Sequence, residues 1–130
     1  MLRLKLPILA RQFLAEFLGT FLLISFGGGS GIQAFGKGKL KIILSKQSVS
    51  NSFLGSGDYL SVALGFGLAL MIGILASGVS GGHLNPAVTL SLAVVKKCSW
   101  IQFPVYVIAQ CLGAFLGAVT LYVNNYKFIE

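Results

Sequence analysis

Ten residues, Ser80-Gly81-Gly82-His83-Leu84-Asn85-Pro86-Ala87-Val88-Thr89, restrict this chain more than any others. They follow a long apolar segment, where a soluble fold would place a surface loop. Small residues and one histidine ahead of Asn85 release the backbone from regular structure. Proline suits the first helical position, where its missing N–H removes no bond, and asparagine just before it is a good N-cap. The apolar run from Ala87 to Val95 then ends at Lys96-Lys97. The pattern predicts a short helix over about 85–95 that begins at membrane depth, with irregular backbone leading into it. Such backbone survives in a bilayer only where protein buries it or a watery path borders it. The segment is a pore candidate.

Membrane depth follows from composition. Of 130 residues, 55% are hydrophobic and only 10% charged, and the acidic residues are Glu16, Asp58 and Glu130 alone. A soluble fold of this length needs a charged shell, which these residues cannot build. Three segments reach the roughly 20 apolar residues that a span requires: about 13–34, 59–79 and 100–123. Tyr59, Trp100, Phe103, Tyr122 and Tyr126 mark their rims, as interfacial aromatics do. The expected fold is all-α: three transmembrane helices plus one re-entrant half-helix, in a single domain over 1–130. A polar loop over 36–58, with an apolar patch at 40–44, joins the first two spans.

The net charge of +7 lies in small clusters outside the apolar runs. That placement reads as anchoring at anionic lipid, so the bilayer is the expected partner. A nucleic-acid patch would need a soluble fold and interleaved aromatics. Orientation stays open, because a cytoplasmic N-terminus would put five basic residues inside and five outside. Cys98 and Cys111 fit neither a CxxC nor a disulfide framework and read as free thiols. The N-terminus has no discrete apolar core with a cleavage-like site, so no removable signal is expected. Gly113 and Gly117 form a GxxxG, and Ala15 and Gly19 share that spacing, the pattern of close helix crossings in lipid. No nucleophile–base pair and no metal-ligand cluster stands out. The Gly-rich FGGGSG lacks the Lys-Ser/Thr of a phosphate loop. Neither an enzyme nor a cofactor is expected.

The string SGGHLNPAVT at 80–89 resembles the first signature loop of the aquaporin family, the water and glycerol channels. AEFLGTFLL at 15–23 resembles the family's first helix. FGGGSGIQ at 26–33 and LGFGLAL at 64–70 are similar to its glycerol-conducting branch. The likeness covers most of 11–123. It implies a channel component for passive flow of water and small neutral solutes such as glycerol. It also implies a multi-pass protein, at the plasma membrane, in a homo-oligomer that the family builds as a tetramer. Family members have six spans in two inverted halves, each with its own half-helix. This chain matches the first half. The alternative is therefore a non-conducting half-channel that joins, or interferes with, full-length subunits. Two oppositely inserted copies could also rebuild a pore, but Val88 would then stand where the family's second half carries arginine.

The resemblance assigns roles residue by residue. Asn85 would cap the half-helix with its carbonyl oxygen and donate from its amide to a passing oxygen. The helix end behind it, worth about half a positive charge, would oppose cations. Gly81, Gly82, His83 and Leu84 would offer backbone carbonyls along the pore wall, with the His83 ring packed into the scaffold. Val88 follows the motif and would line the path. Pro86 and Ala87 would support the loop, and Glu16 would be a buried carboxylate that accepts N–H groups from it. Gly65, twenty residues before Asn85, would leave a wide filter. The alternative is a packing glycine beside Gly67, and a one-residue helix offset would put Phe66 in the filter instead.

Overall fold

The computed structural model describes residues 6–45 and 59–129, with side chains over 6–34 and 59–126. Four helices follow in order: α1 (Ile8–Ser45), α2 (Tyr59–Ala76), α3 (Pro86–Val94) and α4 (Gln102–Ile129). The described residues contain no strand. Pro7 opens α1, its carbonyl accepting the N–H groups of Ala10 and Arg11 at 3.0 and 3.2 Å. A capping box opens α4. Ser99 Oγ accepts the Ile101 N–H at 3.3 Å, while Gln102 Oε1 accepts the Ser99 N–H at 2.9 Å.

Three helix windows are long and apolar enough to cross a membrane: Ile8–Ala34, Tyr59–Ala76 and Gln102–Tyr126. The first helix begins earlier than expected, at Ile8, and α4 runs on to Ile129; two internal boundaries differ as well. The polar loop expected over 36–58 begins as helix, because α1 continues to Ser45. Gly36 and Gly38 cost about 1 kcal/mol each there, but extending a formed helix needs no new nucleus. The rest of that loop lies outside the described residues. The second span stops at Ala76 rather than 79. Ser77 N–H still bonds to the Gly73 carbonyl at 3.0 Å, and then the chain turns through 77–81.

Contacts along the helices give the topology. Gly27 faces Phe66, Ser30 faces Gly65, and Gly19 faces Gly73, so α2 runs antiparallel to α1. Gln12 pairs with Gln102, Phe17 meets Gly113, Ile24 meets Gly117 and Gly28 meets Leu121, so α4 runs parallel to α1. The first helix is central, with α2 and α4 against it and α3 against α4. The tip of α3 is deep. Leu84 stands against Gly19, eleven residues along α1 and hence about 17 Å from its start at 1.5 Å per residue. The other end of α3 returns toward α4's first turn, which touches Gln12. The half-helix therefore enters and leaves on one side.

Lys96, with φ of 60°, ends α3. Lys96 N–H bonds to the Ala93 carbonyl at 3.1 Å and Lys97 N–H to Leu92 at 2.8 Å, the paired bonds of a Schellman cap. Cys98 follows, buried in the connection to α4. Burial, and then the Glu16 charge, push its thiol above the ordinary range. Thiolate is the reactive form, so Cys98 is expected to resist maleimide at neutral pH. The raised value favours the neutral thiol, and that contribution to stability is lost as pH rises through it. Labelling of a Cys111→Ser chain across alkaline pH tests this; fast labelling at neutral pH would contradict it.

Candidate functional site

The loop between α2 and α3 turns through left-handed backbone three times. Gly81 (φ 96°) and Gly82 (φ 65°) take these angles without a Cβ penalty. Leu84 takes φ of 53° despite its side chain, so surrounding contacts must hold it there. Its side chain is 3% exposed and wedges where Gly19 and Gly73 leave room between α1 and α2. A Cβ on Gly73 would lie 2.9 Å from Leu84 Cδ1 and 2.8 Å from the Gly19 carbonyl oxygen.

Glu16 holds the loop from beneath. It is fully buried, and four donors converge on its carboxylate. Oε1 accepts the His83 N–H at 2.9 Å and the Ser80 hydroxyl at 2.5 Å. Oε2 accepts the Leu84 N–H and Gln110 Nε2, each at 2.8 Å. Around this centre, Tyr106 donates its hydroxyl to the Ser80 carbonyl at 3.0 Å. The Tyr106 ring meets the His83 ring edge-on, with centroids 5.0 Å apart. Gln110 Nε2 also reaches Thr89 Oγ1 at 3.0 Å. An ionisable side chain at this depth is expensive unless paired, and here dipoles rather than a cation surround it.

Asn85 caps α3 with extended backbone (φ −151°, ψ 129°), its Oδ1 accepting the Ala87 N–H at 2.8 Å. Its Nδ2 makes no hydrogen bond to a described residue, so two donors remain beside the positive end of α3. Gly81, Asn85, Pro86, Ala87 and Val88 are exposed, and Gly82 and His83 half-buried. With the Leu84 side chain buried, only its backbone is left to face a solute. The loop therefore leaves exposed backbone and a free side-chain amide at the deep end of α3, groups able to hydrogen-bond neutral hydroxyl-bearing molecules.

Gly65 lies in the α1–α2 contact: a Cβ there would run into the Ser30 side chain, while Phe66 packs on Gly27. That geometry makes Gly65 a helix-contact position. A cleft of about 350 Å³, lined by Ser25, Phe26, Gly29, Ser30, Gln33 and Asn125, shares no residue with the loop. Sequence reasoning missed Ser80, Thr89, Tyr106 and Gln110 as members of the Glu16 network. Gln110 carried a signal, as a glutamine within an otherwise apolar span.

A family model described as Major intrinsic protein matches residues 3–129. Aquaglyceroporin-2 of Rhizophagus irregularis is 48% identical over 111 residues, covering 85% of this chain and 30% of that protein. Aquaporin-9 of Mus musculus is 40% identical over 115 residues, covering 88% and 34%. The crystal structure of the aquaglyceroporin from Plasmodium falciparum superposes with a TM-score of 0.75 at 38% identity, covering 93% of this chain and 44% of that one. The chain thus spans about a third of the length of these curated relatives. Matched over nearly its whole length, and folded as three apolar spans around a re-entrant half-helix, the chain belongs to the major intrinsic protein family.

Proposed function

We propose that this chain forms one half of a channel for water and small neutral solutes such as glycerol. The observation that carries the reading is the deep α3 tip, where Asn85 caps the helix yet keeps its amide N–H groups free. A solute oxygen would accept from Asn85 Nδ2 while its hydroxyl proton turns to the carbonyls of 81–84. The α3 field opposes hydronium and other cations at that point. The full-length relatives carry channel names, and no step of covalent chemistry is needed. Assembly as a tetramer and residence in the plasma membrane belong to the same proposal.

The exposure of this loop favours a second wall. Gly81 and Asn85 face no described protein on one side, and unpaired backbone cannot face lipid. Further helices would close the path, from a continuing polypeptide or from full-length subunits. A half that merely joins or perturbs such subunits is the alternative.

Osmotic shrinkage of proteoliposomes separates these readings. Permeability to water and glycerol above that of empty vesicles, lost in Asn85→Leu, is the expected result for the chain alone or combined with the second half of the Rhizophagus irregularis relative. Flux only in the combination would mean that the wall must be supplied. Absence of flux in both, from folded protein, would overturn the channel reading and leave the interaction role.

A further inference from the structure

We infer that Thr89 is a positioning residue: it fixes the tautomer of His83 so that Nε2 is a hydrogen-bond acceptor on the solute path. The bearing on transport rests on the channel reading above; the tautomer does not.

The assignment begins at Glu16. Both of its oxygens accept backbone N–H groups, from His83 and Leu84, so the Gln110 amide must turn its nitrogen, not its oxygen, toward Oε2 at 2.8 Å. The same Nε2 lies 3.0 Å from Thr89 Oγ1 and gives it the second amide hydrogen. Thr89 Oγ1 is thereby an acceptor already. Its own proton points along the helix to the Asn85 carbonyl at 3.0 Å. Thr20, Ser77, Ser91 and Thr120 make this backward bond too, at 2.6 to 2.9 Å, as helical hydroxyls commonly do.

His83 Nδ1 stands 3.2 Å from Thr89 Oγ1. With the threonine proton committed, Nδ1 must bring a proton of its own. A neutral imidazole carries only one, so Nε2 is left bare. Nε2 bonds to no described residue and sits beside Gly81, 3.6 Å from where a Cβ on that residue would be. A Cβ there would touch the nitrogen, so glycine leaves that approach open. The competing arrangement turns the threonine hydroxyl to Nδ1 and moves the histidine proton to Nε2, which would then donate.

The consequence is a matched pair. Nε2 accepts and Asn85 Nδ2, two residues on, donates, which suits a molecule whose hydroxyl groups do both. A solute unable to give a proton finds half the pair unused.

His83 is the one histidine in the sequence, so ¹⁵N-histidine labelling of the 130-residue chain in phospholipid vesicles reports a single ring. At mildly alkaline pH, the expected solid-state NMR spectrum shows a protonated, pyrrole-type Nδ1 and a bare, pyridine-type Nε2. Thr89→Val, which keeps shape but loses the hydroxyl, is expected to move the proton to Nε2; Thr89→Ser is expected to keep it on Nδ1. A wild-type ring protonated at Nε2 overturns the assignment, and so does a Thr89→Val ring identical to wild type. If Thr89→Val does not fold, the wild-type and Thr89→Ser spectra decide. Where flux is measurable, Thr89→Val is expected to lower glycerol permeability about twofold to tenfold, the worth of one hydrogen bond, with Thr89→Ser restoring it. A tautomer that moves while flux does not would take Nε2 off the solute path. A chain that shows no flux leaves the spectra to stand, so loss of the channel reading and loss of the tautomer are told apart.

Discussion

Glu16→Leu is expected to leave the chain unable to hold its loop and largely unable to fold. The substitution strands four donors at once: the N–H groups of His83 and Leu84, the Ser80 hydroxyl and Gln110 Nε2. Two have other partners within reach. Ser80 can turn fully to the Ser77 carbonyl at 2.8 Å, and Gln110 keeps Thr89. The two backbone groups have none, and each buried, unpaired donor costs about 1–3 kcal/mol. The left-handed angle of Leu84 adds about 1–2 kcal/mol of strain that those bonds now offset. Against a typical stability of about 5–15 kcal/mol, this is a large share. Glu16→Gln is milder but still damaging, because its amide nitrogen must face a backbone N–H whichever way it turns. Gln110→Leu leaves both loop N–H groups paired and is expected to cost least. Thermal unfolding in detergent, followed through Trp100, checks the order. A Glu16→Leu chain with wild-type melting and protease resistance would show that the loop stands without its carboxylate.

What the sequence reveals of this fold depends on whether the cause is local. The three spans were visible because crossing a bilayer demands about 20 apolar residues in a row, a property of neighbours. The half-helix was visible for the same reason: Asn85 and Pro86 carry its N-cap and first turn themselves. The end of α1 was not, since nothing in the run from Gly36 to Ser45 distinguishes a Gly- and Lys-containing helix from a loop. The Glu16 network was legible only through the resemblance, and only in part. Its members lie 64 to 94 residues from Glu16 in the chain, and helix crossings rather than periodicity bring them together. Gly65 shows the limit most clearly. Its spacing from Asn85 fits a filter and its neighbour Gly67 fits a packing stripe, and the sequence contains nothing to choose with. The fold adds what spacing lacks, the direction of the missing Cβ: one on Gly65 would point at Ser30, and one on Gly67 into open space.

That same direction makes Gly113→Val the second severe substitution. A Cβ at Gly113 would run into the Phe17 carbonyl oxygen, with the Phe21 amide nitrogen 3.1 Å away. Both obstacles are α1 backbone, which cannot rotate aside as a side chain would. The α1–α4 axis must widen instead. Gly113 lies one helical turn beyond Gln110, so the widening draws Gln110 Nε2 from Glu16 and the Tyr106 hydroxyl from the Ser80 carbonyl. The packing cost, about 1–3 kcal/mol for overfilled sites, is thus joined by loss of the buried network. At Gly117 the nearest atoms are the Ile24 side chain at 3.0 Å and the Phe21 carbonyl at 3.1 Å, so Gly117→Ala asks for a smaller shift. Gly67→Ala meets nothing within 4 Å and is expected to stabilise α2 slightly, because alanine is the better helix former by about 1 kcal/mol. Melting temperatures should therefore fall in the order Gly67→Ala, wild type, Gly117→Ala, Gly113→Ala, Gly113→Val. Lipid favours close helix contact only where surfaces fit, which is why one methyl group facing a carbonyl outweighs the same group facing the bilayer. Equal melting of Gly113→Val and wild type would mean that α1 and α4 do not meet backbone to backbone.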